Sequence, residues 1–502
     1  MPDGMTGLSL DRRTVGVLSA MSQLSLVDQK RIELYLSDKL TRVSSEPHSR
    51  IHRRSFNSPA FLSFSQEQVF DRAEHNTDKP PFYNECITVF RTGSLDVQVL
   101  ERSLTEIIRR HEIWRTTYDT VDGRPVQVIH PAPGNLALPT LDLSGLPESE
   151  QEVKMLRCVA ELTQRPFDLR RGPLLRFHLV KSGESAHRLF LIAHQSVVDG
   201  VSAYQVFPTE LAALYEAFIE GNPSPLPELP IQFADYAEWQ RHELDANKLD
   251  AHLNYWRRRL GGAPQMLRWP VNAHRRNTKS CRGIVRPFAF SKDLTAALRS
   301  TAQREGVTLF MTLLSGFVSL LYRYTMQEDI LLGTLSPAGR QRTELQRLLG
   351  YFLNPVVLRF DLSSNPKFLE LLQQAREVVS EAISHDVLSL ELLAQSLKPA
   401  SHPVCNPFFN VAISLQPPVP EIVRPGWNVT SMDVGNGGAV WDLYLAFIDQ
   451  PNGIIGRVQY NSEAFEDDTI TRMLCDLETV LKTFSSQPQL HVSDLPDLIE
   501  RG

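Results

Sequence analysis

The chain has 502 residues, long enough for two or more lobes with sizeable cores. Hydrophobic residues make up 42% and charged residues 22%, an ordinary balance for a soluble globular protein. The formal net charge of -6 leaves no basic footprint, which argues against nucleic acid as a partner. The five cysteines, Cys86, Cys158, Cys281, Cys405 and Cys475, are scattered and never in CxxC spacing. That pattern argues against a disulfide framework and a zinc site and reads as reduced thiols. The N-terminus has no apolar signal core, and no stretch is apolar for long enough to span a bilayer. The expectation is a cytoplasmic protein with no membrane partner.

Residues 1–54 read as an N-terminal helix and linker. Leu26, Ile32, Tyr35 and Leu36 fall near one helical face, and the tract from Thr41 to Ser58 is polar and basic. A strand is expected over Tyr83–Phe90 and a helix over Leu95–Arg110. Asp122-Gly123 joins two strands as a hairpin turn. A helix near residues 150–164 leads to the strand Phe177–Val180. The run Leu189 to Ala193 is unbroken and apolar, and reads as a strand buried on both faces. It ends in the polar turn His194-Gln195-Ser196-Val197-Val198-Asp199-Gly200. A polar cluster at the end of a buried strand is where α/β architectures place chemistry.

Pro208 removes a backbone donor, so the next regular helix is expected to begin near it. Ser224-Pro225-Leu226-Pro227-Glu228-Leu229-Pro230 reads as a semi-rigid joint between an N-terminal lobe, 55–230, and a C-terminal lobe, 231–502. In the second half Thr308 caps a long apolar helix, Leu309–Tyr322. Strands are expected at Ile330–Leu332, Val356–Phe360, Phe409–Ile413 and Leu443–Phe447, and helices at Phe368–Ile383 and Thr469–Phe484. The fold class is α/β (α+β).

The turn His194 to Gly200 resembles the HHxxxDG signature of condensation domains from non-ribosomal peptide synthetases, with Gln195 in place of the second His. Other segments resemble that family's motifs in order. Ser63 to Phe70 is similar to SxAQxRLW, with Gln68 at its arginine. Arg110 to Thr116 is similar to RHExLRT, and Phe233 to Trp239 to YxDYAVW. Gly333-Thr334 with Ala338-Gly339-Arg340 is similar to GTPxAGR, and Gly350 to Arg359 to GxFVNTxxxR. Asn406 to Asn410 matches the last motif. The Asn354-Pro355-Val356-Val357 version looks like condensation domains beside polyketide synthase modules.

The resemblance implies two lobes similar to chloramphenicol acetyltransferase, meeting in a V with a tunnel between them. It implies donor and acceptor carrier proteins as partners, within a synthase of neighbouring modules. Their phosphopantetheine arms enter as substrates, and no cofactor is bound directly. The candidate catalytic turn comprises Gln195, His194, Asp199 and Gly200. Gln68, Arg340, Asn354 and Trp441 are the expected supporting residues, with Arg340 as the partner of Asp199.

Glutamine donates and accepts hydrogen bonds but holds no proton at neutral pH. A one-residue step on a strand points His194 to the opposite face from Gln195, so His194 reads as structural. His111, Glu112 and Arg115 read as a helix end with capping and ion-pair roles. His385-Asp386 is a weak candidate for a second catalytic pair. Gly435 to Gly438 lacks the Lys-Ser/Thr of a phosphate loop and reads as a turn near the tunnel. Two functions follow: amide-forming condensation of carrier-bound groups, or a platform that gates or recruits carriers. A free-standing acyltransferase is a third, weaker reading.

Overall fold

The structure is a computed structural model. It describes residues 50–55, 59–75, 81, 83–244, 246–263, 266–269, 281–397, 407–420, 423–430 and 435–496. The expected helix near Leu26 to Leu36 and the start of the last motif at Asn406 lie outside these residues.

Among the described residues, seven strands come from the first half: β1 (Ala60–Phe61), β2 (Asn84–Thr92), β3 (Thr116–Val121), β4 (Arg124–Ile129), β5 (Thr140–Asp142), β6 (Leu175–Gly183) and β7 (Ala186–His194). Seven follow in the second: β8 (Gly283–Ala289), β9 (Asp329–Ser336), β10 (Asn354–Asp361), β11 (Val411–Gln416), β12 (Trp427–Thr430), β13 (Leu443–Gln450) and β14 (Gly453–Asn461). They form three sheets. The first-half sheet has the order β12-β2-β7-β6-β5, the second-half sheet β10-β9-β11-β13-β14-β8, and β1-β4-β3 make a small third one.

Alternation along β2 and β7 fixes what lies on each side of the first sheet. Cys86, Phe190 and Ile192 pack with Met155 and Val159 of the helix Glu148–Gln164. Ile87, Val89, Leu189, Leu191 and Ala193 face the other way. They join the core shared by the helices Val97–Arg110 and Phe207–Ile219. Both faces are covered, which is why β7 needs no polar residue in its centre. Asp96 caps the first of these helices, accepting the N–H groups of Gln98 and Val99 at 2.9 and 3.1 Å. Asp122 and Gly123 both have positive φ, 51° and 75°, as the tight hairpin between β3 and β4 requires.

After the signature turn the chain first makes a π-helical turn, Ser202–Val206, and only then the α-helix from Phe207. Pro208 sits in the first turn, where its missing N–H has no intrahelical role.

In the second half four helices pack together beside the six-stranded sheet: Lys292–Arg304, Leu309–Thr325, Phe368–Ser384 and Asp467–Ser486. Thr308 Oγ1 caps the second of them by accepting the Met311 N–H at 3.2 Å. Gly316 lets this helix approach the last one closely, since a Cβ there would stand 2.4 Å from Leu481 Cδ2.

The packing does not divide at residue 230. Strand β12 leaves the second half and pairs with β2 of the first-half sheet, Trp427 opposite Arg91 and Thr430 opposite Thr88. Trp427 is buried there against Tyr215, ring centroids 5.3 Å apart. The helix Phe233–Glu243 also packs its Phe233, Tyr236 and Ala237 into the first-half core. Leu229 and Ile231 at the Pro-rich joint are buried with them. Arg72 and Glu391 join the halves by an ion pair of 2.8 Å. The physical reason is an unpaired edge: β2 presents open backbone groups on the far side from β7, and β12 covers them.

Truncating the anchor of that crossover tests it. Trp427→Ala is expected to cost about 3–5 kcal/mol, as for other buried Trp deletions. The check is the urea midpoint of unfolding followed by fluorescence and by far-UV circular dichroism.

Candidate functional site

The end of β7 sets the site. His194 is paired with Asn84, and the ladder runs one residue further, with the Gln195 N–H donating to Tyr83 C=O at 2.7 Å. Consecutive residues here still point to opposite sides. His194 turns toward Tyr83 and Phe167, ring centroids 6.0 and 6.3 Å away. Its Nδ1 lies 2.8 Å from Ser196 Oγ. Burial pushes the imidazole down to about 3, so it stays neutral at physiological pH. His194 is a packing residue that secures the turn.

Gln195 faces the other way, into a cavity of about 1040 Å³ of atom-free space, its solvent-open part included. The wall carries Gln68, Tyr83 and Glu85 from the first half and Trp441, Tyr444 and Arg457 from the second. Among the described residues, none makes a hydrogen bond to the Gln195 side chain. Gln68 is buried on the same wall.

Below the wall the turn is held from beneath. Ser196 C=O accepts from Gln66 Nε2 and from the Tyr118 hydroxyl, each at 3.2 Å. The Asp199 side chain is fully buried and meets Arg340 in a two-point pair, Nε to Oδ2 at 3.0 Å and Nη2 to Oδ1 at 2.7 Å. Asp199 Oδ1 also accepts the Ser202 N–H at 2.8 Å, and Oδ2 the Phe352 N–H at 3.3 Å. Arg340 gives its remaining donors to Leu345 C=O, Leu348 C=O and Ser202 Oγ, each at 2.8 Å.

Gly200 needs no special backbone conformation. Its φ is not positive, and a Cβ there would meet Pro417 at 3.5 Å, an ordinary contact. The Asp199 carboxylate makes the turn by capping the next residues, so the backbone needs no glycine. Gly200 instead lines the cavity.

The comparisons with known proteins fit this geometry. The family model described as condensation domain matches residues 59–500. The chain belongs to the condensation-domain family.

It is 34% identical over 496 residues to a protein of the linear gramicidin synthase of Brevibacillus parabrevis, covering 98% of this chain and 10% of that protein. It is 39% identical over 414 residues to chondramide synthase cmdD of Chondromyces crocatus, covering 82% of this chain and again 10% of the relative. This condensation domain thus spans about a tenth of the length of these relatives. Among solved structures, the X-domain from teicoplanin biosynthesis superposes with a TM-score of 0.79 at 25% identity, over 89% of this chain and all of the other. The X-domain also matches in its complex with OxyB, with a TM-score of 0.78 at 25% identity, over 91% of this chain and all of the other. The first condensation domain of the calcium-dependent antibiotic synthetase gives 0.76 at 20% identity, over 88% of this chain and all of the other, a likeness of fold alone. The fold is therefore the two-lobed, acetyltransferase-like one expected.

The other residues singled out in this condensation domain fall elsewhere. Asn354 is buried off the cavity, and its Nδ2 donates to Leu388 C=O at 2.8 Å and to Asp386 C=O. It ties the start of β10 to the segment after the helix Phe368–Ser384. Trp441 does line the cavity and packs edge-on against Tyr444, centroids 5.1 Å apart. His385 and Asp386 form no catalytic pair. His385 stacks on Tyr255 at 3.8 Å, while Asp386 accepts from the Ser336 hydroxyl. His111 and Arg110 both bind Glu210, at 2.8 and 3.0 Å, so this motif anchors the helix Phe207–Ile219. Burial works to raise the Glu210 carboxyl, but His111 and Arg110 outweigh it and hold it below the usual range. Asn436 Nδ2 donates to Asn84 C=O at 2.9 Å, which seats the glycine-rich turn on the cavity wall.

Sequence reasoning missed Glu85 and Arg457. Glu85 is a lone carboxylate beside the mostly apolar segment Cys86 to Phe90, an anomaly that could have flagged it. Arg457 lies in β14, a strand whose glycines and polar residues hid its period.

The Asp199–Arg340 pair has a measurable consequence. Arg340→Met leaves a buried carboxylate uncompensated and is expected to cost about 3–5 kcal/mol. Adding Asp199→Asn should recover part of that loss. A thermal-melt double-mutant cycle checks the non-additivity.

Proposed function

We propose that this condensation domain joins a carrier-bound acyl thioester to a carrier-bound aminoacyl group by forming an amide. The observation that supports this reading is the cavity itself. It is lined from both halves and displays the glutamine amide at the end of β7, the place of the family's signature turn. Donor and acceptor carriers approach from opposite sides in this reading, and their phosphopantetheine arms meet at Gln195 through a tunnel between the lobes. No cofactor of the domain's own takes part. The lobes in this reading are 55–230 and 231–502, with β12 crossing from the second to the first.

An amine nucleophile suits this site. An α-amino group has a pKa of about 7.7–8.0, so part of it is neutral near pH 7 and ready to attack. An alcohol would need a base for the attack itself. The Gln195 side chain contributes positioning and an N–H donor to the oxyanion. His194, Asp199 and Gly200 serve the turn, and Gln68, Arg340, Asn354 and Trp441 its surroundings.

A second reading has a specific observation behind it. The family's second His is Gln195 here, and the X-domain that this chain resembles has been solved in complex with OxyB. In that reading the domain recruits or gates carriers and other proteins without catalysis.

Intact-protein mass spectrometry with loaded donor and acceptor carriers decides between them. The wild type should transfer the acyl group, and Gln195→Ala should lower kcat by about 10²–10³, the cost of one oxyanion donor. Retained carrier binding with no product from any carrier pair would leave the recruiting role alone.

A further inference from the structure

The cavity that Gln195 faces holds a carboxylate. Glu85 is opposite Ala193 in the β2–β7 ladder, and Tyr83 accepts the Gln195 N–H. Glu85 and Ile87 therefore share one face of β2 with Ala193 of β7, and Tyr83, Glu85, Ile87 and Gln195 all line the cavity. Gln195 lies opposite Tyr83 and so diagonally from Glu85, and such diagonal neighbours on one face of an antiparallel pair stand about 7–8 Å apart. Glu85 is half-buried, and among the described residues it has no ion-pair or hydrogen-bond partner for its carboxylate. The groups around it are Arg457 of β14, Tyr444 of β13, Tyr204 of the π-turn, Tyr83, Tyr351, and Arg72, which is committed to Glu391. Burial raises the Glu85 carboxyl, and the charge of Arg457 pulls it back only in part.

We propose that Glu85 is the proton acceptor of this cavity, taking over the role that a glutamine at position 195 cannot fill. The inference rests on the amide-forming reading above. The amine nitrogen bonds to the thioester carbonyl carbon and its excess proton passes to the Glu85 carboxylate. The carbon–sulfur bond then breaks, and the proton held by Glu85 goes to the departing sulfur. Amine and thioester become amide and thiol, and the carboxylate is regenerated. An environment that raises a carboxyl group gives the base greater proton affinity, which suits this task. As pH falls through its raised pKa, Glu85 protonates and the rate falls, giving an acidic limb.

The test is Glu85→Gln, which keeps shape and removes the proton-holding group, assayed by single turnover with loaded carriers across pH. The expected result is a loss of about 10²–10⁴ in kcat, an unchanged KM for the acceptor carrier, and no acidic limb in the residual rate. Glu85→Asp should keep the limb with a smaller loss, which separates lost chemistry from lost structure. An active wild type matched by Glu85→Gln in rate and pH profile overturns this inference and leaves amide formation standing. A wild type that forms no amide removes both.

Discussion

The pair formed by Asp199 and Arg340 is the constraint on which the site depends. Asp199 belongs to the turn after β7, and Arg340 to the short helical segment after β9. Their carboxylate and guanidinium are almost wholly out of water. Such a pair is tolerable only when every remaining donor and acceptor is used. Arg340 has five N–H donors, and all five are engaged by Asp199, Ser202, Leu345 and Leu348. The pair therefore fixes three segments at once: the signature turn, the π-turn that follows it, and the loop from Leu345 to Phe352. Gln195 can be held at the cavity because the chain on its far side has no freedom left.

That constraint also explains the division of labour along the turn. The strand's alternation sends His194 to the packed side and Gln195 to the open side. Burial then strips His194 of its proton, so it acts as a hydrogen-bond partner of Ser196 and nothing more. The open side keeps an uncharged amide at 195 and another at 68. Among the described residues, the charged side chains on the wall that no salt bridge pairs are Glu85 and Arg457, one on each large sheet.

Much of this was legible in the sequence. The apolar run of β7, the Asp122-Gly123 hairpin, the Thr308 cap and the delay of the helix to Pro208 all stand where local rules put them. Those rules sufficed because each signal is contained within a few residues. The opposite faces of His194 and Gln195 followed from strand geometry alone. What stayed hidden was non-local. Nothing in Trp427-Asn428-Val429-Thr430 says that it pairs with a strand more than 330 residues earlier, since an edge strand's partner is chosen by which edge is open. The Pro-rich joint marked a real break in secondary structure, yet Leu229 and Ile231 are buried with the first-half core. A break in the chain's regular structure is not a break in its packing. Glu85 stayed hidden because a charge in a strand is informative only once its face is known to line a cavity.

The two glutamines can be understood together. A histidine at 195 and an arginine at 68 would add two groups capable of positive charge to a wall that already carries Arg457 and Arg72. With glutamine at both positions, Arg72 balanced by Glu391 and Asp199 balanced by Arg340, the wall's charge reduces to Glu85 and Arg457. Nη1 of Arg457 is buried without an acceptor among the described residues. A low-dielectric space with one carboxylate and one such guanidinium favours a ligand that brings both signs or lets a proton move between them. In the amide-forming reading the reacting pair meets that requirement: the acceptor's amine must lose a proton, and the departing sulfur of the donor thioester must gain one. Replacing a single imidazole thus need not empty the site of acid–base capacity; it shifts that capacity to the neighbouring strand on the same face of the sheet.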